Sequence, residues 1–383
     1  MLNTVRTAIW IGFSLRLFVA IWNGFFGPSF GAEGDALSFH LLAVEFGQNP
    51  TFDEFIIGWF YSYVLGLVYY LTTDSLFLGS LLSCLAWLAS AALLVKIMLL
   101  LSINKSHQLK AMLIYALLPS SILYTSVTLR EVYQLLFVNL ALYSALQIYL
   151  NKSATHWLVL FCAVIGMGVL HGALFAFGLF IVVATLVLLA LRGRKSFALI
   201  KIALVAPLIF LVVVYGLSLF TNVSYNLDEG FGAAVEAYQQ GGIASDARAQ
   251  YKTSAEINGV TGLLLFMPVA LFQYMLEPMP WRISAAIDVV SLFENSLRAW
   301  LIWKALVVLK NMPVQRRRPV LFVFLSYIVI ETLWSLGTVN WGTAIRHHLP
   351  SIGLLVVAAF AYSANKAASK VKSRAAKPEA AQR

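Results

Sequence analysis

Three short segments of this sequence carry charged and polar side chains that could do chemistry, and the first runs from Gly34 to Glu45. Asp35 opens a helical stretch there, and His40 and Glu45 follow on other faces of the same helix. A carboxylate at a membrane surface can act as a general base or orient a substrate. An aspartate after glycine is also a common helix N-cap, and both interpretations of Asp35 stay open. Asp35 is nevertheless the residue of this segment that we expect to be catalytic, and His40 is a candidate for substrate binding.

The second segment begins at Pro119 and ends with Arg130 and Glu131. Pro119 predicts a kink in a spanning helix, with the freed carbonyl met by nearby serine side chains. Arg130 and Glu131 fit an ordinary charged turn between two helices. They equally fit a wet cavity, because charged residues near membrane depth usually face the protein interior. The planar fork of arginine suits phosphate, since it can bind two oxygens at once.

The third segment, Arg346-His347-His348, directly precedes the last apolar run. Two adjacent histidines do not point the same way on a helix, so a zinc site is not expected and a phosphate-binding site is. The alternative is an interfacial anchor with snorkelling side chains. His171 and Trp281 are lesser candidates for substrate binding. His171 also fits a polar helix end, and Trp281 fits an aromatic belt at the membrane interface.

The sequence contains no Walker loop, dinucleotide fingerprint, zinc-protease motif or nucleophile elbow. The energy for any reaction should therefore come from an activated substrate. We predict no metal site and no cofactor. A divalent cation would assist the departure of a phosphate, but no carboxylate cluster requires one.

The elements that must position these residues are membrane helices. Of the 383 residues, 60% are hydrophobic and 11% are charged, whereas a soluble domain has about 25% charged residues. The net charge of +10 is concentrated in short loops and in the C-terminal tail, which is typical of cytoplasmic segments of membrane proteins and excludes a nucleic-acid partner. The lipid bilayer is the expected partner.

Apolar runs near the length needed to span hydrocarbon recur along the chain. The predicted spans are 8–26, 76–101, 111–128, 132–150, 157–170, 173–192, 197–220, 285–309, 319–338 and 349–364, with shorter or more broken runs at 57–72 and 260–276.

Counting all of these runs as crossings, about twelve in number, places acidic and basic loops on one side of the membrane. The conflict disappears if 57–72 and 260–276 are re-entrant or interfacial helices. We therefore predict an all-α bundle with about ten crossings, keeping the plain count as the alternative. Residues 1–364 form the transmembrane domain, with outer loops 28–56 and 221–258, and 365–383 form a disordered basic cytoplasmic tail. All three segments then reach the outer face.

In its layout the sequence resembles the GT-C-type membrane glycosyltransferases, including protein-mannosyltransferase-like members. The likeness rests on an outer Gly-Asp-Ala-x-x-x-His helix after the first span, a Pro-Ser-x-x-x-Tyr-x-Ser span end with Arg-Glu, and a late Arg-His-x-Leu-Pro before the final helix. It implies transfer of a sugar from a polyprenyl-phosphate-linked donor to a glycan, lipid or protein acceptor, at the outer face of the cell's inner membrane.

By this resemblance, Asp35 takes the acidic position of the first outer loop and orients or deprotonates the acceptor. Glu131 stands where many members have a second acidic residue, although Arg-Glu replaces the more familiar Asp. Arg346 and His347 correspond to late basic residues that hold the donor phosphate. Two other functions stay open: a polysaccharide repeat-unit polymerase, and a transporter or flippase for lipid-linked glycans.

Overall fold

The computed structural model describes residues 4–28, 34–51, 55–192, 235–236, 239, 249–251, 257 and 259–362. These residues are mainly helical, which confirms the all-α class. In the first half the helices are α1 (Val5–Phe25), α2 (Asp35–Gln48), α3 (Phe60–Leu71), α4 (Leu76–Leu100), α5 (Lys105–Leu117), α6 (Pro119–Tyr124), α7 (Glu131–Asn151), α8 (Thr155–Leu170) and α9 (Gly172–Arg192). In the second half they are α10 (Gly259–Leu276), α11 (Ala286–Asn311), α12 (Val314–Gly337), α13 (Trp341–His347) and α14 (Ile352–Phe360). The predicted span 197–220, most of the loop 221–258 and the tail 365–383 lie outside the described residues.

Several helices begin at side chains that cap free backbone N–H groups. The side-chain oxygens of Thr4, Ser75, Asn104 and Asn340 accept hydrogen bonds from backbone N–H groups in the first turns of α1, α4, α5 and α13. Such residues end the preceding turn and start a helix because they satisfy donors that have no intrahelical partner. The cap at Asn340 bears directly on the site below, because it fixes where α13 starts.

Five helices among the described residues are long and apolar enough to cross a membrane, namely α1, α4, α7, α9 and α12. The α13 helix and residues 349–360 together pass the same test, but they meet at an angle of 57°. Large apolar side chains such as Trp10 and Phe18 on α1 and Leu158 on α8 are exposed, as expected where helices face lipid. The chain is a helical membrane protein; the figure of about ten crossings stays a prediction.

The main core surrounds α14, whose nine residues are all buried. It packs against α5, α11 and α12. A helix that is hydrophobic all round belongs in the centre of a bundle, since no face of it needs solvent. The C-terminal helix of the described chain therefore carries the preceding α13 at a fixed position.

The predicted span 111–128 is broken rather than continuous. Leu118 is extended and Pro119 begins α6, so the kink expected at Pro119 is present. The guanidinium of Arg16, fully buried on α1, donates to the Ala116 carbonyl at 2.8 Å and to Ser121 Oγ at 2.8 Å. An arginine from another helix therefore reaches a carbonyl at the break, and the expectation that serines meet the carbonyl freed by Pro119 stays a prediction.

The α2 and α3 helices form a tightly packed pair. At Gly66 an added Cβ would lie 2.6 Å from the Ala43 carbonyl oxygen, so the two backbones approach too closely for any other residue without a shift. Ser62 Oγ also donates to the Phe39 carbonyl at 3.0 Å. This pairing determines the position of α2, which carries Asp35.

Candidate functional site

A second, smaller core cluster brings the three sequence segments together at one end of the bundle. Its buried residues come from α2, α3, the end of α6 and the turn after it, the end of α8, and α13 and the turn after it: Ala36, Phe39, Ala43, Tyr61, Leu65, Tyr69, Tyr124, Val127, Leu129, Leu170, Ile345 and Leu349. Thr128 Oγ1 donates to the Ala36 carbonyl at 2.7 Å, which ties the turn before α7 to the first turn of α2. The predicted catalytic carboxylates are thus held on adjoining elements.

Arg346 is the centre of the site. Its Nη1 lies 2.5 Å from Asp35 Oδ2 and 3.8 Å from Glu131 Oε1. The three residues come from α13, α2 and α7, and Asp35 and Arg346 are 311 positions apart in the chain. The structure therefore brings together the residue expected to bind phosphate and both of the carboxylates expected to be catalytic.

The two carboxylates differ in exposure. The side chain of Asp35 is 60% exposed, whereas that of Glu131 is 7% exposed. Glu131 Oε2 is buried and has no hydrogen-bond partner among the described residues. One carboxylate is therefore open to a substrate, and the other is held in the protein beside Arg346.

Helix ends account for the placement of these charges. Asp35 and Glu131 are the first residues of α2 and α7, and Arg346 lies in the last turn of α13. Acidic groups are stabilised at helix N-termini and cations at C-termini by the helix dipole. Gly34 occupies the N-cap position of α2, and the carboxylate of Asp35 pairs with Arg346. The N-cap interpretation of Asp35 is therefore wrong.

Two further predicted ligands, Arg130 and His40, contact α2 and α3. The Arg130 guanidinium lies 5.5 Å from the Phe39 ring centroid, one helical turn along α2 from Asp35. His40 Nδ1 is 2.9 Å from Tyr69 Oη on α3. Burial lowers the pKa of His40, with the charge of Asp74 acting in the opposite direction, so the ring is neutral at pH 7. Arg130 adds positive charge near the site, whereas His40 is engaged in helix packing.

His347 and His171 form an aromatic group with Trp334, in which His347 and Trp334 are buried and His171 is half-buried. The His347 ring stacks on Trp334 at a centroid distance of 3.9 Å, and His171 meets the same indole edge-on at 4.4 Å. Thr338 Oγ1 donates to the Trp334 carbonyl, so the contact at 2.9 Å between His347 Nδ1 and Thr338 Oγ1 has the imidazole as donor. Both histidines thus pack on α12, and their expected role in substrate binding stays a prediction.

His348 is directed into the bundle. Its Nδ1 lies 2.5 Å from Glu331 Oε2 on α12, and Ser351 Oγ donates to the other oxygen of the same carboxylate. All three residues are buried. His348 was expected to bind substrate. In the structure, its contact with Glu331 stabilises the bend between α13 and α14.

Trp281 lies on a short 3₁₀ turn, Pro280–Arg282, and is 79% exposed. The neighbouring Arg282 pairs with Glu277 at 2.9 Å. The start of α13 is held separately, because Trp341 Nε1 donates to Asp288 Oδ1 at 2.9 Å. Trp281 is thus not packed into the group around Arg346, and its expected role in substrate binding stays a prediction.

Parts of the predicted outer loop 221–258 lie against the same region. Tyr251 N donates to the Val339 carbonyl at 2.9 Å, and Trp341 N donates to the Ala249 carbonyl at 3.0 Å. Gln239 Nε2 donates to the Leu336 carbonyl at 2.6 Å. The described residues of this loop therefore contact the link between α12 and α13, next to the site.

Several supporting residues were not predicted from the sequence. The sequence did not identify Thr128 and Trp341 as supporting residues, because the residues that they contact are far away along the chain. The carboxylate of Glu294, on α11, accepts from Ser120 N at 2.8 Å and from Ser120 Oγ at 2.6 Å. It therefore caps the start of α6.

Within the described ranges, no group of three or more His, Cys, Asp and Glu side chains is arranged to hold a metal ion. The expected absence of a cofactor stays a prediction. Comparisons of the chain with protein-family models, with curated proteins and with solved structures give no match.

Proposed function

We propose that this chain is a membrane glycosyltransferase that moves a sugar from a polyprenyl-phosphate-linked donor to an acceptor at the outer face of the cell's inner membrane. The observation that supports this function best is the ion-paired group of Asp35, Arg346 and Glu131. It combines an exposed carboxylate with a cation suited to phosphate, at one end of a membrane bundle.

In this proposal the exposed carboxylate of Asp35 takes the proton from an acceptor hydroxyl. The acceptor oxygen attacks the anomeric carbon of the donor sugar, and the bond between that carbon and the phosphate oxygen breaks. The phosphate leaves with the bonding electron pair, so negative charge develops on it. A positioned base and a preorganised cation are the two groups that such a transfer requires.

Arg346 is the group proposed to receive the leaving phosphate. Its side chain is 18% exposed, so most of its surface is desolvated, and an ionic hydrogen bond to phosphate is stronger there than in water. Arg130, over the Phe39 ring, adds a second positive charge on the same side. Glu131 keeps Arg346 in place when the phosphate binds.

The experiment that tests the function is glycan synthesis in cells carrying Asp35→Asn, with the membrane level of the protein measured in parallel. Loss of product by about 100-fold or more at a normal protein level is expected, since a positioned base contributes about that factor. Asp74→Asn is the matched control: Asp74 is an exposed aspartate between α3 and α4. It should leave the product unchanged.

Two other results would contradict the proposal. If Asp35→Asn makes normal product while Arg346→Ala makes none, the polymerase is favoured, because that reaction needs a cation for pyrophosphate without this base. A transporter is favoured if two results occur together. Purified protein forms no product from a polyprenyl-phosphate sugar and an acceptor, and the cells that carry the variants no longer export glycan.

A further inference from the structure

An apolar groove lies between α3 and α8, with α4 and α7 at its base. Its volume is about 630 Å³, within the range of about 300–1,000 Å³ that is common for ligand sites. Aliphatic and aromatic side chains form most of its wall, including Val64, Val68, Phe137, Ile165 and Val169.

The groove is open along one side and elongated. Val64, Phe161 and Ile165 line it and are exposed, as is Cys162. Along α8 it runs from Phe161 to Leu170, a rise of about 14 Å at about 1.5 Å per residue. An exposed apolar channel of this form in a membrane helix bundle is suited to a hydrocarbon chain that enters sideways from the bilayer.

The upper end of the groove reaches the site around Arg346. Tyr61 and Leu170 line the groove and also belong to the smaller core cluster, which contains Ile345 next to Arg346. Tyr133 lines the groove as well, packs against Tyr61 at 5.3 Å and stands two residues after Glu131. The groove and the charged group thus share a wall.

We propose that this groove binds the isoprenoid chain of a polyprenyl phosphate whose phosphate lies at Arg346; this inference rests on the proposed function. Continuity with a cationic site favours a chain that carries an anionic head over a neutral hydrocarbon.

Cys162 allows a direct test, because it is exposed in the groove and the other cysteine, Cys84, is buried. Detergent-purified full-length protein is treated with a maleimide, which labels exposed thiols. A long-chain polyprenyl phosphate should slow the labelling of Cys162. Inorganic phosphate and a phosphatidylglycerol should not, and Cys162→Ala gives the background.

A pair of tryptophan variants tests the same groove: one places a large side chain in the groove, and the other places it outside. Cys162→Trp should weaken binding of the polyprenyl phosphate by at least about tenfold, the loss expected when two methylene groups are uncovered. Leu158→Trp is the control, because Leu158 is exposed on the same helix but does not line the groove. It should bind as the unchanged protein does.

The outcomes separate this inference from the function on which it rests. If the polyprenyl phosphate binds in a way that requires Arg346, yet neither protects Cys162 nor is weakened by Cys162→Trp, the groove assignment is wrong and the function stands. If the lipid does not bind at all, the proposed function fails as well. Equal protection by phosphatidylglycerol would mean that ordinary bilayer lipid fills the groove, and would overturn the inference.

Discussion

Arg346 contacts two carboxylates that can play different parts because their surroundings differ. Asp35 is largely exposed and its contact with Arg346 is short, whereas Glu131 is buried and lies farther from the guanidinium. A substrate phosphate that reaches Arg346 must therefore compete with Asp35. When it displaces Asp35, the carboxylate becomes free to accept a proton from the acceptor.

This competition predicts that Asp35→Asn raises the affinity for a polyprenyl phosphate while it abolishes transfer. The gain should be about 1.4- to fivefold, because an exposed ion pair contributes only about 0.2–1 kcal/mol. Binding to purified protein can be measured by titration against tryptophan fluorescence, with Asp74→Asn as the control. Unchanged or weaker binding by Asp35→Asn would show that Asp35 and phosphate do not share Arg346.

The buried carboxylate of Glu131 gives a second prediction at the level of residues. Arg346→Ala should lower the free energy of unfolding by about 2–3 kcal/mol, because it leaves the Glu131 charge buried without its partner. Adding Glu131→Gln should recover most of this loss. Thermal unfolding of the two single variants and the double variant in detergent measures the coupling, and strictly additive effects would contradict it.

The elements show which parts of the site the sequence can reveal. The break at Pro119 was predicted correctly, because a proline acts within a few residues. The side chains that contact the break were not predicted, because Arg16 and Glu294 reach it from α1 and α11. The loop charges predicted that Asp35 and Arg346 lie on one face of the membrane, but their contact depends on how α2 and α13 pack.

The packing of α2 on α3 is itself testable. Gly66→Ala would place a Cβ 2.6 Å from the Ala43 carbonyl oxygen, so α2 must shift and carry Asp35 away from Arg346. We expect the free energy of unfolding to fall by about 1–3 kcal/mol and product per molecule of protein to fall with it. Gly58→Ala is the control, since a Cβ there meets no atom within 4 Å.

Two outcomes would contradict the claim that the packing of α2 on α3 positions Asp35. If Gly66→Ala lowers stability but leaves product per molecule unchanged, the α2–α3 contact does not determine the position of Asp35. If Gly58→Ala has the same effect as Gly66→Ala, the loss arises from glycine replacement in general and not from the close approach of the two helices.

At the scale of the whole molecule, the predicted outer segments and the predicted inner segments lie at different ends of the helix bundle. Asp35, Thr128, Glu131 and Arg346 gather at one end. At the other end Leu101, Met312, Arg316 and Ala361 line a common small cavity. Charge in the loops was enough to predict this division, because the positive-inside rule depends on composition and not on packing. The number of crossings depends on packing as well, which explains why the apolar runs alone left it open.

The segment 57–72 is one of the two on which the number of crossings depends, and a helix there that does not cross stays a prediction. The α3 helix has 12 residues, about 18 Å at 1.5 Å per residue, against a hydrocarbon core of about 30 Å. Tyr61 and Tyr69, near its two ends, both belong to the smaller core cluster. A spanning helix would carry its two ends to opposite faces of the bundle.

Single cysteines on either side of α3 therefore provide the last prediction. In a Cys162→Ala background, Asn49→Cys and Asp74→Cys should both react with a membrane-impermeant maleimide added to intact cells from outside. Gln315→Cys, in the first turn of α12 beside the basic Arg316 to Arg318, should react only after the cells are opened. Labelling of Asn49→Cys and Asp74→Cys from opposite sides would mean that α3 crosses, and the prediction of a re-entrant or interfacial helix at 57–72 would be wrong.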